Sequence, residues 1–542
     1  MQYRCGDNTC SSDNIMEQNI VTVPPLEYVP DPRGVGYFFY DSMIKHRNKI
    51  AQIDGVTGEK DTYGELLKRC IRTAIFLQDL GLKPGDFVSI CTFNHTNSCT
   101  PLIASFFINV ITSAIDPTIS LESTVYLLKQ TKPKVIFVNM ESLEMIESAF
   151  KIIGIDVTIV IFGDTNNHIS FNDVLVPYPE EELFKPTPVP SLDTVALLVF
   201  SSGSSGLPKG ICHRHYSIMC QIMNNVNSGF DFKLNFGYYS VYWTVFVQCL
   251  GTSILTGSTR YFVPKFDVAN PWEAFHTNFT YIIINVFQAS TLCLTPKPPD
   301  VNLNNVENVM ITGGVIMSDQ LTTFKNIFNR SKVYLLYGQS EVIGYLTHFT
   351  PKTYHLQLSK PTSVGLAVPG VAFRVRDIDT GAILGPNQKG ELLIKTNYQL
   401  IGYYNVDSSE IWDSEGWLKT GDIVYYDDDS CLYVVDRIKE MFKYQGWHIP
   451  PASIEAILLQ HPSVASAIVI GVPHSHDGHR AMGLVTLKPN TNITAKAIEE
   501  FVNDKVEDRL KLTGGLKIIN KMPLTPSGKI DRRKIKSFYL DV

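Results

Sequence analysis

Apolar residues in this chain gather in short unbroken runs. Residues 135–138, 158–162, 195–200, 281–284, 309–311 and 333–336 are rich in β-branched and aliphatic side chains, and most of these runs stop at Gly, Asn, Asp or Ser. A run without polar alternation is what a strand buried on both faces leaves in a sequence. Helix-like segments such as 121–130 lie between several of them. Strands alternating with helices predict an α/β architecture with layered sheets.

The texture changes after about residue 405. Asp427-Asp428-Asp429 reads as a turn between two strands, and residues 437–451 as a charged, glycine-containing connector. Beyond it the pattern predicts a helix at 453–460, strands at 467–470 and 484–487, a helix at 495–506 and a strand at 516–519. That is a small α+β domain of ordinary size. The predicted division is a polar, disordered tail over 1–22, a large N-terminal domain over 23–436 and a C-terminal domain over 437–542, with the boundary at 436–439.

Composition narrows the class. A chain of 542 residues exceeds what one core supports, and 44% hydrophobic with 18% charged residues is ordinary for a globular protein. A net charge of −6 without a basic run disfavours nucleic acid and anionic membrane as main partners. The first 22 residues lack an apolar leader core, and the most apolar stretch, 101–116, is too short to span a bilayer. Ten scattered cysteines form no Cys-x-x-Cys pair. They read as reduced thiols, not as a zinc site, and point to a cytoplasmic protein.

The candidate chemistry begins where the run 195–200 ends. Ser201-Ser202-Gly203-Ser204-Ser205-Gly206-Leu207-Pro208-Lys209-Gly210 offers open backbone N–H groups, hydroxyl donors and one mobile cation, which suits a polyphosphate. Gly210 after Lys209 rules out the Gly-Lys-Ser/Thr phosphate loop. A generic Gly/Ser stretch would be a flexible surface loop. The Pro-Lys-Gly ending, placed directly after a buried strand, favours the functional reading.

This stretch resembles the phosphate loop of the acyl-adenylate-forming superfamily, which includes acyl-CoA synthetases, 4-coumarate–CoA ligases, beetle luciferases and peptide-synthetase adenylation domains. The family's other motifs follow in order. Tyr337-Gly338-Gln339-Ser340-Glu341 is similar to Tyr-Gly-x-Thr-Glu. The resemblance implies that Tyr337 stacks on adenine, Ser340 touches the α-phosphate and Glu341 holds Mg²⁺. Gly313-Gly314-Val315 matches the turn that passes adenine, while Asp422 and Arg437 match the ribose pair. Lys443, Gly446 and Trp447 lie in a stretch that resembles the one that, in CoA-forming members, faces the site for the thioester step. Lys529, in Pro526-Ser527-Gly528-Lys529, maps to the catalytic lysine of adenylation.

The implied fold is therefore that of an adenylate-forming enzyme, with layered α/β subdomains and a small mobile C-terminal domain. The implied activity is ATP-dependent adenylation of a carboxylic acid, releasing pyrophosphate, then transfer to coenzyme A with release of AMP. The acid pocket departs from the luciferases. Tyr242–Gln248 carries no His-His-Gly-Phe-like segment, and Gln221 stands about where luciferases have arginine. With His215, Trp243 and Phe246 also assigned to it, the pocket is expected to take a fatty or other apolar acid. The rival readings are a luciferase-type monooxygenase, a peptide-synthetase-like unit and a catalytically silent binding protein. The ending Leu540-Asp541-Val542 is not a Ser-Lys-Leu signal, so peroxisomal import by that route is not expected.

Overall fold

The computed structural model describes residues 15–17, 19–200, 208–316, 318–445, 447–525 and 529–540. Among them the chain builds two mainly parallel sheets and two mainly antiparallel ones. The seven-stranded parallel sheet runs in the spatial order Gly210–Arg214, Val195–Phe200, Ile111–Ala114, Phe87–Cys91, Val135–Asn139, Thr158–Phe162, Ile169–Ser170. Only Gly210–Arg214 turns back antiparallel, against Val195–Phe200, so the phosphate-loop segment joins two paired strands. The nine-stranded sheet carries Tyr281–Asn285, Asn308–Thr312 and Lys332–Gln339 side by side at its centre. Each unbroken apolar run thus became a buried strand, as neighbours on both faces require.

Helices Val35–Lys45, Tyr63–Asp79, His215–Val226 and Thr244–Thr256 share one apolar cluster with both sheets. A third sheet, of seven strands, contains Val371–Arg376, Gly390–Thr396, Leu418–Tyr426 and Leu432–Arg437. The expected N-terminal tail needs correction. Ile15–Glu17 and Ile20–Thr22 are strands of this third sheet, and Val21 is fully buried. The β-branched run Ile20-Val21-Thr22-Val23 is too short to stand out beside its polar flank, but it pairs with Ala372 and Phe373. Residues 1–14 lie outside the described residues.

Past Arg437 the chain enters a fourth, five-stranded sheet that includes Phe442–Tyr444, Val464–His474 and Gly478–Leu487. Two apolar clusters, one around Ile454, Ile498 and Val485 and one around Ile468, Leu484 and Ile535, draw only on residues after 441. The C-terminal unit therefore has its own core. No helix among the described residues is long and apolar enough to cross a membrane.

Candidate active site

The site forms where the strand Lys332–Gln339 leaves the sheet. The chain passes through the short turn Ser340–Val342 and returns antiparallel as Gly344–His348. The return is close: a Cβ on Gly338 would stand 2.4 Å from the Gly344 carbonyl oxygen. Ile343 takes a left-handed backbone, φ 51°, which a β-branched residue adopts only under constraint. Two buried amides supply it. Gln248 donates to the Ile343 carbonyl at 2.7 Å, and Gln221 donates to those of Val342 and Tyr345 at 3.2 and 3.3 Å.

At the end of that strand, three side chains converge on the buried carboxylate of Asp422. The Tyr337 hydroxyl donates at 2.6 Å, the Gln339 amide at 2.7 Å, and the Arg437 guanidinium pairs at 2.9 Å. Burial, followed by the Asp422 charge, pushes the Tyr337 phenol far up, so it stays a neutral donor. The adjoining strands Leu418–Tyr426 and Leu432–Arg437 place Asp422 opposite Arg437 by register. Such a carboxylate can exchange these donors for the hydroxyls of a ribose.

Lys529 reaches the same corner from the C-terminal unit. Its Cε lies 3.9 Å from where a Cβ on Gly313 would stand, and Gly313 has the left-handed φ of 79°. The lysine keeps contact with the solvent of the cleft, yet protein surrounds it closely. Desolvation, and then the Arg437 charge, lower its pKa against the opposing pull of Asp422. Lys439 is lowered as well, by burial and by Lys209 and Arg437. Four cations, Lys209, Arg437, Lys439 and Lys529, thus crowd one corner. Cations pressed together against their own repulsion suit a polyanionic ligand.

Glu341 stands on the far side of the turn. Its carboxylate accepts from the Tyr403 hydroxyl at 3.2 Å, and the Tyr403 ring faces the Lys209 ammonium at 4.6 Å. The segment carrying Tyr403 is tied to the strand Gly210–Arg214, with Tyr404 N–H donating to the Gly210 carbonyl at 2.7 Å. Among the described residues no group of three or more His, Cys, Asp or Glu could hold a metal. A single carboxylate such as Glu341 nonetheless fits Mg²⁺, which takes one or two protein oxygens and completes its shell with phosphate oxygens and water.

Of the four residues expected in the acid pocket, three are buried: His215, Gln221 and Phe246. His215 is buried at the start of its helix, and its Nδ1 accepts the Val35 N–H at 3.2 Å, capping another helix. Burial pushes its pKa down to about 4, which keeps Nδ1 free to accept. Phe246 is fully buried against the Arg260 guanidinium, 4.9 Å from its ring. Gln221 uses its amide on the backbone, as above. Trp243 alone of the four keeps a partly exposed ring, packed edge-on to Tyr242. Sequence spacing could not tell which face of the helix Thr244–Thr256 points inward. Ser340, Gly314 and Val315 flank the corner's loops. Ser201, Ser202, Gly203, Ser204, Ser205 and Gly206, and likewise Gly446, lie outside the described residues.

Lys443 does not join Lys529. It is exposed on the strand Phe442–Tyr444 and lines a groove of about 450 Å³ with Ile378, Phe442, His448 and Lys536. Trp447 is 59% exposed, with the Arg509 guanidinium 5.0 Å from its ring. Sequence reasoning overlooked Tyr403 and Lys439. The Gly402-Tyr403 step and the fourth residue of Asp436-Arg437-Ile438-Lys439 were the available signals.

A family model described as AMP-binding enzyme matches residues 39–404, and a second, AMP-binding enzyme C-terminal domain, matches residues 453–529. The chain belongs to the AMP-binding enzyme family. Luciferin 4-monooxygenase of Nipponoluciola cruciata is 30% identical over 96% of this chain and 97% of its own length. The 4-coumarate–CoA ligase-like 8 of Arabidopsis thaliana is 26% identical over 94% of each chain. Among solved structures, the luciferase-like enzyme from the nonluminescent Zophobas morio mealworm superposes with a TM-score of 0.73 at 34% identity, covering 77% of this chain and 99% of that one. An anthranilate CoA ligase shares the fold at a TM-score of 0.83 and 20% identity, over 94% of this chain and 98% of that one. The AMP-binding family thus accounts for the α/β body, the separate C-terminal unit and the adenylate-forming architecture.

Proposed function

We propose that this AMP-binding enzyme is an acid–CoA ligase. It joins a carboxylic acid to the α-phosphate of ATP, releases pyrophosphate, and passes the acyl group to coenzyme A with release of AMP. The observation that carries the reading is the position of Lys529 beside Gly313 and the Asp422–Arg437 pair. A carboxylate attacking a polyanion is opposed by charge repulsion, so the site needs cations and alignment rather than a covalent nucleophile. Lys529, Lys209 and Arg437 provide the cations, Asp422 the ribose acceptor and Tyr337 the adenine platform. Glu341 would hold Mg²⁺, which neutralises phosphate charge when bound.

In this reading residues 23–436 form the body and 437–542 a lid that rotates about 436–439. Rotation withdraws Lys529 and presents the Lys443–Trp447 face for attack by the CoA thiolate. Closure also keeps water from the adenylate. An apolar acid fits best, because the Gln221 amide is already bonded to backbone and the partly exposed wall Tyr242–Val245 carries no charge. Each methylene that finds room would add about 0.8 kcal/mol, close to fourfold in kcat/KM.

The test is a panel of aromatic acids and fatty acids of graded length, scored for AMP and pyrophosphate with and without CoA. Thioester should form, and kcat/KM should climb with chain length until the pocket is full. ADP and phosphate as products would refute adenylation. A flat length profile would refute the apolar pocket. Light from luciferin, ATP and oxygen without thioester formation would move the chain to the oxidative branch.

A further inference from the structure

Lys529 lies on a loop, and its place in the corner has to be fixed from elsewhere. The loop is closed at its base. Thr525 N–H donates to the Lys529 carbonyl at 2.6 Å, Asp531 N–H donates to that of Pro523 at 2.8 Å, and Leu524 bridges Ile530. Immediately after it begins the helix Arg532–Tyr539. Its first residue, Arg532, pairs with the Glu455 carboxylate at 2.6 Å, donates to the Val469 carbonyl at 3.0 Å and faces Glu440 at 3.8 Å.

Each contact leads toward the hinge. Glu455 lies on the helix Pro451–Leu458, and the same carboxylate oxygen accepts the Val469 N–H at 2.8 Å. The first turn of that helix donates its Ala452 N–H to the Asp436 carboxylate at 3.0 Å. Asp436 is paired with Ile423 in the large third sheet. Lys536, one turn beyond Arg532, meets Glu440 at 3.4 Å. A continuous polar chain therefore joins the body at Ile423, through Asp436, Ala452, Glu455 and Arg532, to the base of the Lys529 loop. None of these groups is among those that meet at Asp422.

We propose that Arg532, clamped by Glu455, is a positioning residue for adenylation: it fixes the Lys529 loop relative to the hinge, so that the ammonium meets the α-phosphate corner when the lid is in this orientation. The proposal rests on the acid–CoA ligase reading. It adds that Arg532 is needed in one half-reaction and not in the other. A salt bridge that merely held the lid's fold together would affect both.

The experiment compares Arg532→Met, Arg532→Lys and the milder Glu455→Gln in the full chain. Pyrophosphate exchange should fall roughly 10- to 100-fold in Arg532→Met, the scale expected for an ångström-sized misplacement. It should fall less in Glu455→Gln and recover in part in Arg532→Lys. Thioester formation from a supplied acyl-adenylate should be unchanged in all three. Equal loss of both half-reactions, or no loss of exchange, overturns the proposal. A second measurement needs no turnover. Gly314→Cys with Lys529→Cys should be joined by a short bismaleimide, and adding Arg532→Met should slow that crosslink, measured against the chain lacking the two introduced cysteines. An unchanged rate overturns the proposal. An unmutated chain inactive with every acid would instead refute the ligase reading, and the crosslink would still decide the role of Arg532.

Discussion

Two lysines of one small unit sit in opposite surroundings. Lys529 stands beside Arg437 and Asp422, where close-packed protein and the Arg437 charge lower its pKa. Lys443 points away into a groove behind the hinge, beside His448 and Lys536, and Trp447 near it is largely exposed. The corner is built by the third sheet and the strand Lys332–Gln339, whose side chains satisfy one another through Asp422. The groove's own ion pairs, Lys536 with Glu440 at 3.4 Å and His448 with Asp379 at 3.6 Å, do not include Lys443. What separates them is preorganisation: side chains already meet at the corner, and under the proposed lid rotation the groove face would come into use only in a different orientation.

The strongest way to break this comparison is to remove each lysine in turn. Lys529→Ala should cost on the order of 10²–10³ in acyl-adenylate formation, the scale for deleting a preorganised charge-stabilising donor. It should leave thioester formation from supplied acyl-adenylate intact. Lys443→Ala should do the reverse, with near-normal pyrophosphate exchange and slow thioester release. Single-turnover assays of both steps read this directly. Equal loss of both steps in both variants, in folded protein, would mean one fixed site and no rotation.

Stability should separate the two faces next. Asp422→Ala removes the acceptor of the Tyr337 hydroxyl and one of the two acceptors of the Gln339 amide, which keeps the Thr420 carbonyl at 3.2 Å. Unsatisfied buried donors cost about 1–3 kcal/mol, so the denaturation midpoint should fall along with ATP affinity. Trp447→Ala, at an exposed ring, should leave the midpoint within about 0.5 kcal/mol. A larger loss at Trp447 than at Asp422 would reverse the ranking of the two regions.

The sharper of the smaller effects concerns Glu341. Tyr403→Phe keeps the ring over Lys209 and removes only the hydroxyl that bonds the carboxylate. At 3.2 Å this bond is long for O–H···O, and a net worth of about 0.5–1.5 kcal/mol should shift the Mg²⁺ concentration for half-maximal exchange several-fold. Nucleotide binding followed by calorimetry across Mg²⁺ concentrations provides the same reading without turnover. No shift would show that Tyr403 acts only as packing.

Much of this was legible in the sequence, and the reason is physical. Buried parallel strands leave unbroken apolar runs, so Val195–Phe200 and Thr158–Phe162 were found residue for residue. Residues of the corner are fixed by short motifs on strand ends, and Tyr337, Asp422 and Arg437 do converge. The acid pocket was not legible in this way. Whether Phe246 or Gln221 faces a substrate depends on helix rotation and on distant partners such as Arg260 and the Val342 carbonyl. Ile20–Thr22 was hidden for a similar reason, since its partner strand lies some 350 residues later, at Val371–Arg376. Arg532 looks like one more basic residue in Asp531-Arg532-Arg533-Lys534 until Glu455 is seen opposite.

The smallest expected effect is also the most specific to the crowded corner. Desolvation and Arg437 both disfavour the Lys529 ammonium, so it loses its proton below the ordinary lysine value of 10.5. The charged form is the working form, present below the pKa and lost as pH rises through it. Adenylation should therefore keep its rate on the acid side of that pKa and decline several-fold toward alkaline pH, earlier than a free lysine would allow. The pH dependence of kcat/KM for nucleotide in pyrophosphate exchange, which reports the ligand-free protein, gives the limb. In Lys529→Arg the limb should vanish, because a guanidinium holds its proton throughout the accessible range. Some loss of overall rate is expected there, since the planar head does not reproduce the compact ammonium. In Arg437→Gln the limb should move to higher pH as the repelling charge disappears. A limb that persists in Lys529→Arg would belong to another group. One that stays put in Arg437→Gln would mean that the two cations are not coupled, and the corner would then differ from the groove in burial alone, not in charge.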